Sequence, residues 1–220
     1  LKDEYDIQGV KLYTAEWRGD SKGWRLDSEE AFRFLEKCAE LGIENIHAHK
    51  GPTIRPLNRD AFDVADVDDA ATSFPDLNFI VEHVGFPRLD DFCHIATQET
   101  NVYGGLAVAA PFAQNRPRKF AEMMGELLFW VGEDNLLFGS DYAIWEPDWL
   151  IPAVMNAELT PEERAEYGVE LSPEVKRKFM GENAARLYDI DIEEKKRQFR
   201  DDEISREFGL GDDYEEASAD

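Results

Sequence analysis

Short apolar runs alternate with amphipathic stretches along most of this chain. Residues 10–13, 43–49, 79–83, 102–110 and 136–141 are rich in aliphatic and aromatic side chains and bounded by Gly, Pro, Asn or Asp, which predicts β-strands. Between them the apolar positions take up helical spacing. Phe32, Leu35, Cys38, Ala39 and Leu41 lie on one face, Asp27 or Ser28 caps that helix above Glu29 and Glu30, and Gly42 stops it. Residues 63–73, about 89–98 and 117–131 predict further helices. Ser172 with Pro173 opens another that runs into residues 183–188. The order strand, loop, helix recurs about four times, so the expected fold is α/β, with right-handed βαβ units on a parallel sheet.

In parallel α/β folds the chemistry gathers at the carboxyl ends of the strands. Three such ends carry metal-competent side chains: Ile46-His47-Ala-His49-Lys-Gly51, Phe79-Ile-Val-Glu-His83-Val-Gly85, and Leu136-Leu-Phe-Gly-Ser-Asp141-Tyr. A carboxylate delivered by a buried strand is costly unless a cation pairs with it. His49, His83 and Asp141 therefore suggest one shared site. The competing readings are a core histidine for His49 and a helix N-cap for Asp141. His47 falls on the same strand face as His49 and is taken as its satisfied neighbour. Glu82, next to His83, is assigned to the opposite face as scaffold, paired with Arg88 or another cation. Lys11 is structural or substrate-facing. The acidic run from Asp63 through Asp66 to Asp69 lacks the Gly and twelfth-position Glu of an EF-hand loop and is assigned to a solvated helix face. Trp17, Trp24, Trp145 and Trp149 fall in strand-end loops, where either pocket lining or packing suits them.

Charge narrows the partners. The 220 residues carry a formal net charge of −24, dispersed along the chain, so nucleic acid and anionic membrane surfaces would be repelled. An acidic surface of this kind suits a halophilic, high-salt cytoplasm, where screening removes the self-repulsion. No apolar run approaches the roughly 18 residues of a membrane span. Cys38 and Cys93 stand far apart without a CxxC, which excludes a zinc ribbon or disulfide framework and predicts two buried small hydrophobes in a reducing compartment. The chain starts at Leu1 and meets its first strand almost at once, as a fragment entering in mid-protein would.

Taken in order, these motifs resemble the carboxyl-terminal part of the amidohydrolase superfamily. The nearest group is amidohydrolase 2, with its aminocarboxymuconate-semialdehyde decarboxylase-like enzymes. Gly9-Val-Lys-Leu-Tyr resembles that family's fourth strand, His49-Lys-Gly its fifth, Glu82-His83-Val-Gly its sixth, Leu137-Phe-Gly-Ser-Asp141-Tyr its eighth, and Asn183-Ala-Ala-Arg-Leu-Tyr its closing helix. The resemblance implies the carboxyl-terminal half to two-thirds of a TIM-like (β/α)8 barrel over residues 1–190, followed by an acidic tail over 191–220. It implies a divalent metal, commonly zinc, with His49 and Asp141 as ligands. It places His83 beside the metal as a catalytic or substrate-orienting group or a second ligand, and gives Asp141 a catalytic role as well. The family's first-strand His-x-His pair has no counterpart upstream of Val10. His47-x-His49 has that spelling but falls at the fifth strand, so His49 alone is assigned as ligand. The implied activity is a metal-dependent hydrolase acting through metal-activated water on a small carbonyl, lactone or amide substrate. The alternatives are a non-oxidative decarboxylase of an aromatic or unsaturated acid, and a catalytically silent interaction module. A small-molecule substrate is the expected partner, and a homo-oligomer stays open.

Overall fold

Five strands form one sheet in chain order: β1 (Gly9–Leu12), β2 (Asn45–His49), β3 (Asn78–Glu82), β4 (Val102–Gly105) and β5 (Leu136–Leu137). The computed structural model describes residues 2–15, 23–52, 58–142, 144–200 and 202–208. Every pairing is parallel, and the register sets Lys11 beside His47 and His49 beside Glu82. A parallel sheet whose spatial order equals its sequence order is an arc of a (β/α) barrel. Before β1 lies the short α1 (Lys2–Tyr5); α2 (Glu29–Glu40), α3 (Asp66–Ser73) and α4 (Leu89–Gln98) return the chain between successive strands, and α5 (Phe112–Asn115) with α6 (Pro117–Trp130) leads into β5. Beyond β5 come α7 (Pro147–Met155), α8 (Pro161–Tyr167), α9 (Pro173–Arg177), a π turn (Lys178–Glu182) and α10 (Asn183–Leu187).

Local chemistry explains the helix ends. Ser28 accepts from the Ala31 amide at the start of α2, and Ser172 does the same for Val175 at α9. Thr160 and Glu163 close a full capping box on α8, which ends at Gly168 with φ +68°. Several boundaries differ from expectation. The helix expected over 63–73 starts only at Asp66, because a 3-10 turn (Arg59–Phe62) and a further turn occupy the approach. The strand expected over 102–110 stops at Gly105, where the chain turns through residues 107–111. The run 136–141 is a strand only over Leu136–Leu137, since its neighbour β4 has already turned away. The Phe138 amide bonds instead to the Phe179 carbonyl (2.7 Å) inside the π turn.

The two faces of the sheet differ. Ile46, Ala48, Phe79, Val81 and Val102 are completely buried and belong to a core with Leu35, Cys38, Val67, Ala70, Phe92 and Phe120 from the helices. Cys38 and Cys93 are free and buried, as expected. Trp24, Trp145 and Trp149 pack partly buried against this core, whereas Trp17 lies outside the described residues. The opposite face carries Lys11, His47, His49 and Glu82, which alternation and register bring to one side.

One polar network crosses the helix-facing layer. Lys50 and Asp66 are both fully buried, with Nζ 2.7 Å from Oδ2. Asp66 is therefore not part of a solvated helix face: its helix turns that residue inward, towards a lysine that directly follows β2. Burial pulls the Lys50 amine down and pushes the Asp66 carboxyl up, and the attraction between the two opposes both moves.

The chain divides into two units, Leu1–Asn183 and Ala184–Asp220. The second holds α11 (Ile192–Arg200) and α12 (Glu203–Phe208), with exposed pairs such as Lys196 to Glu193 (3.1 Å), and its last residues, 209–220, lie outside the described ones. Among the described residues no helix is long and apolar enough to cross a membrane.

Asn101 ties the turn between α3 and β3 together, its Nδ2 reaching the carbonyls of Ala71 (3.2 Å), Phe74 (3.2 Å) and Leu77 (2.9 Å). Asn101→Ala should lower the unfolding free energy by about 1–3 kcal/mol in urea titrations, because those acceptors lose their donor.

Candidate metal and active site at the strand ends

His49 closes β2 and His83 follows directly on β3; both are buried. His49 Nδ1 and His83 Nε2 lie 3.1 Å apart, and the ring centroids are 4.6 Å apart in an edge-on arrangement. His83 does not continue the alternation of its strand. His83, Val84 and Gly85 have φ of 67°, 46° and 66°, so the chain coils left-handed and carries the His83 ring to the face that bears His49. Such a conformation costs a non-glycine residue about 1–2 kcal/mol, and the packed surroundings hold it here. The ring has room because residue 51 is glycine: a Cβ there would lie 2.7 Å from the His83 Cβ and 2.8 Å from its Cδ2.

The two imidazoles form a chain between two carbonyls. His83 Nδ1 is 3.0 Å from the Ala107 oxygen, and His49 Nε2 is 3.2 Å from the Pro52 oxygen. A carbonyl only accepts, so each terminal link needs an N–H, and the link between the rings needs a third proton. Two neutral imidazoles carry two. Burial first, then the charges of His83 and Lys11, hold the His49 imidazolium pKa down at about 4. With both rings neutral, one nitrogen lone pair faces another, an arrangement that a cation between them satisfies.

The spacing fits the same idea. Two Zn–N bonds of about 2.0–2.1 Å at a tetrahedral angle place their nitrogens roughly 3.3–3.4 Å apart. The donor set is thus suited to a borderline divalent ion through neutral imidazole nitrogen. Around it, Tyr13 stacks on His49 at 4.4 Å with 19° between planes, and Phe62 meets it edge-on at 5.8 Å.

Beside this pair on the same face, Glu82 Oε1 accepts from His47 Nδ1 (2.9 Å) and lies 3.4 Å from Lys11 Nζ. Burial would raise the Glu82 carboxyl, but the His47 hydrogen bond and the Lys11 and His47 charges outweigh it and hold the group below its ordinary range. Glu82 therefore shares the face of His49 rather than pointing away from it. Its cation is Lys11; Arg88 pairs with Asp63 (2.9 Å) and Asp91 (3.2 Å).

Of the residues singled out in the sequence, the structure joins His49 with His83 and places His47 against Glu82. Asp141 sits half-buried beyond β5 with φ 55°. Among the described residues no three His, Cys, Asp or Glu side chains gather as a metal-holding group. Three roles were not read from the sequence: the stacking of Tyr13 on His49, the room that Gly51 leaves for the His83 ring, and the Lys50–Asp66 pair. A lysine directly between His49 and a glycine, at the end of an apolar strand, was the available signal for the last two.

A model of the amidohydrolase family matches residues 2–190. Among solved structures, an uncharacterised TIM-barrel protein from Bordetella bronchiseptica is similar at 18% identity and TM-score 0.63, covering 86% of this chain and 59% of that one. A dihydroxybenzoic acid decarboxylase from Polaromonas sp. JS666, with bound manganese and the inhibitor 2-nitroresorcinol, is similar at 15% identity and TM-score 0.56, covering 86% and 63%. An amidohydrolase from Burkholderia multivorans with bound zinc is similar at 17% identity and TM-score 0.52, covering 80% and 67%. The chain thus spans less than two thirds of the length of the first two. Among curated proteins, none matches the chain in sequence. These likenesses establish the fold as part of a TIM-like α/β barrel, as the strand order and the sequence motifs both indicated.

Gly51→Ala should push the His83 ring out of line with His49 while leaving the fold intact. The expected reading is loss of the ring-to-ring cross-peak between the two imidazoles in NMR spectra, with the amide spectrum of β1 to β4 otherwise preserved.

Proposed function

This chain belongs to the amidohydrolase family, and we propose that it is the carboxyl-terminal part of a metal-dependent hydrolase whose centre includes His49 and Asp141 as ligands. The observation that carries the reading is the His49–His83 pair, buried at adjacent strand ends with nitrogens 3.1 Å apart and their outer nitrogens held by the Ala107 and Pro52 carbonyls. A divalent ion bound there, zinc by preference, supplies Lewis acidity, lowering the pKa of a water to about 7 and polarising a substrate oxygen.

The chain's own residues do the rest. His49 offers a neutral nitrogen, kept unprotonated by its burial. Asp141, at the mouth of β5, takes the proton from the attacking water. His83, donating through Nδ1 to the Ala107 carbonyl, directs Nε2 into the site; once that nitrogen has taken up the proton that Asp141 removes from the water, the ring stabilises the developing oxyanion or hands the proton to the leaving group. The substrate class is a small carbonyl compound, lactone or amide.

The second reading is a non-oxidative decarboxylase of an aromatic or unsaturated acid. It is favoured by the half-exposed ammonium of Lys11 on the same sheet face, which suits a carboxylate-bearing substrate. In that case His83 or Asp141 delivers the proton that replaces CO₂.

Elemental analysis of the intact protein should find about one divalent ion per chain, lost in both Asp141→Asn and His49→Gln. A protein free of metal in all three forms would leave the interaction module as the surviving account. With substrate panels in ¹⁸O-labelled water, hydrolysis should place label in the product; CO₂ release without label would move the assignment to the decarboxylase.

A further inference from the structure

The strongest unassigned feature is the polar network directly behind His49. Lys50 Nζ has three protons and three acceptors: Asp66 Oδ2 at 2.7 Å, the Ala61 carbonyl at 3.3 Å and Thr14 Oγ1 at 3.4 Å. Thr14 in turn donates to the Ala61 carbonyl, and Asp66 Oδ2 also accepts from the Leu26 amide at 2.7 Å. Asp66 Oδ1 has no hydrogen-bond partner. Thr14, Lys50 and Asp66 are all fully buried.

The placement of this network relative to the site is regular. At the exit of β1, Tyr13 stacks on His49 while Thr14, the next residue, bonds to Lys50. At the exit of β2, His49 faces the site while Lys50, the next residue, enters the network. Gly51, one further on, closes against the His83 ring. Residues 49 and 51 thus touch His83 from one side, and residue 50 is anchored from the other. The anchor reaches five separate segments: the exits of β1 and β2, Leu26 in the approach to α2, the 3-10 turn and the first turn of α3.

We propose that Lys50 and Asp66 are positioning residues, holding the β2 exit so that His49 meets His83 and the metal in register. The proposal rests on the reading of His49 as a metal ligand. Stability is a weak reason for such a pair, because a buried ion pair is often replaceable by apolar residues of similar volume without loss. An apolar pair fills the space but cannot fix the direction of residue 50, whereas three convergent acceptors around one ammonium can.

The test compares wild type with Lys50→Met/Asp66→Leu in the intact protein, following thermal melting, Zn²⁺ affinity by competition with a chromophoric chelator, and the imidazole resonances in ¹⁵N-resolved NMR. The double variant should melt close to wild type yet bind Zn²⁺ roughly ten-fold or more weakly, the usual size of a ligand-orienting effect. Its His49–His83 cross-peak should vanish, with the exposed His94 as the unmoved control. Wild-type affinity and an intact cross-peak at matched melting temperature would overturn the proposal and reduce the pair to core filling. If the double variant fails to fold, Asp66→Asn and Thr14→Val keep the packed volume and face the same two criteria. Should wild type bind no Zn²⁺, the metal reading fails, and the imidazole spectra decide the positioning role without it.

Discussion

A strand shows its side chains alternately to its two faces, and at the end of β2 that rule separates two kinds of chemistry by one peptide bond. His49 is turned towards the polar face, where an imidazole from β3 meets it. Lys50 is turned towards the helices, where a lysine is acceptable only because Asp66, Ala61 and Thr14 take all its protons. The in-register parallel pairing of β1, β2 and β3 then repeats the division across the sheet. Tyr13 stands beside His49 on one side and Thr14 beside Lys50 on the other.

The polar face is organised by charge balance and by space. Glu82 sits between Lys11 and His47, so two strands share one carboxylate, and Gly105 leaves it room: a Cβ there would lie 2.8 Å from Oε2. Gly51 does the same for the ring of His83. Neither glycine is required for a turn. Each is a missing side chain whose volume a functional group fills. The left-handed backbone at His83 and Val84 completes the site at a conformational cost, and that cost falls where the chemistry is.

Much of the fold could be read along the chain. The alternation of strands and helices, the caps at Ser28 and Ser172, and the burial of Cys38 and Cys93 all follow from local pattern, and the structure agrees. The strand ends were less legible. Residues 106–110 are as apolar as the strand that precedes them, and Phe138 continues the apolar run of β5, but a strand ends where its partner leaves, and the departure of β4 at Gly105 is not written in β5. The same holds for Asp66, which shares its acidic run with Asp63, Asp68 and Asp69 and differs from them only in facing a buried lysine 16 residues earlier.

By itself, the sequence determined the class of fold, the order of its motifs, and that His49 and His83 stand where β2 and β3 end. These depend on short-range periodicity, on turn and cap residues, and on motif order, all of which are local. Tertiary structure alone decided that the His49 and His83 rings meet nitrogen to nitrogen, that Glu82 lies on their face, and that Lys50 is held from behind by Asp66. Each of those depends on register between strands or on a left-handed turn, and so on distances between residues far apart in the chain.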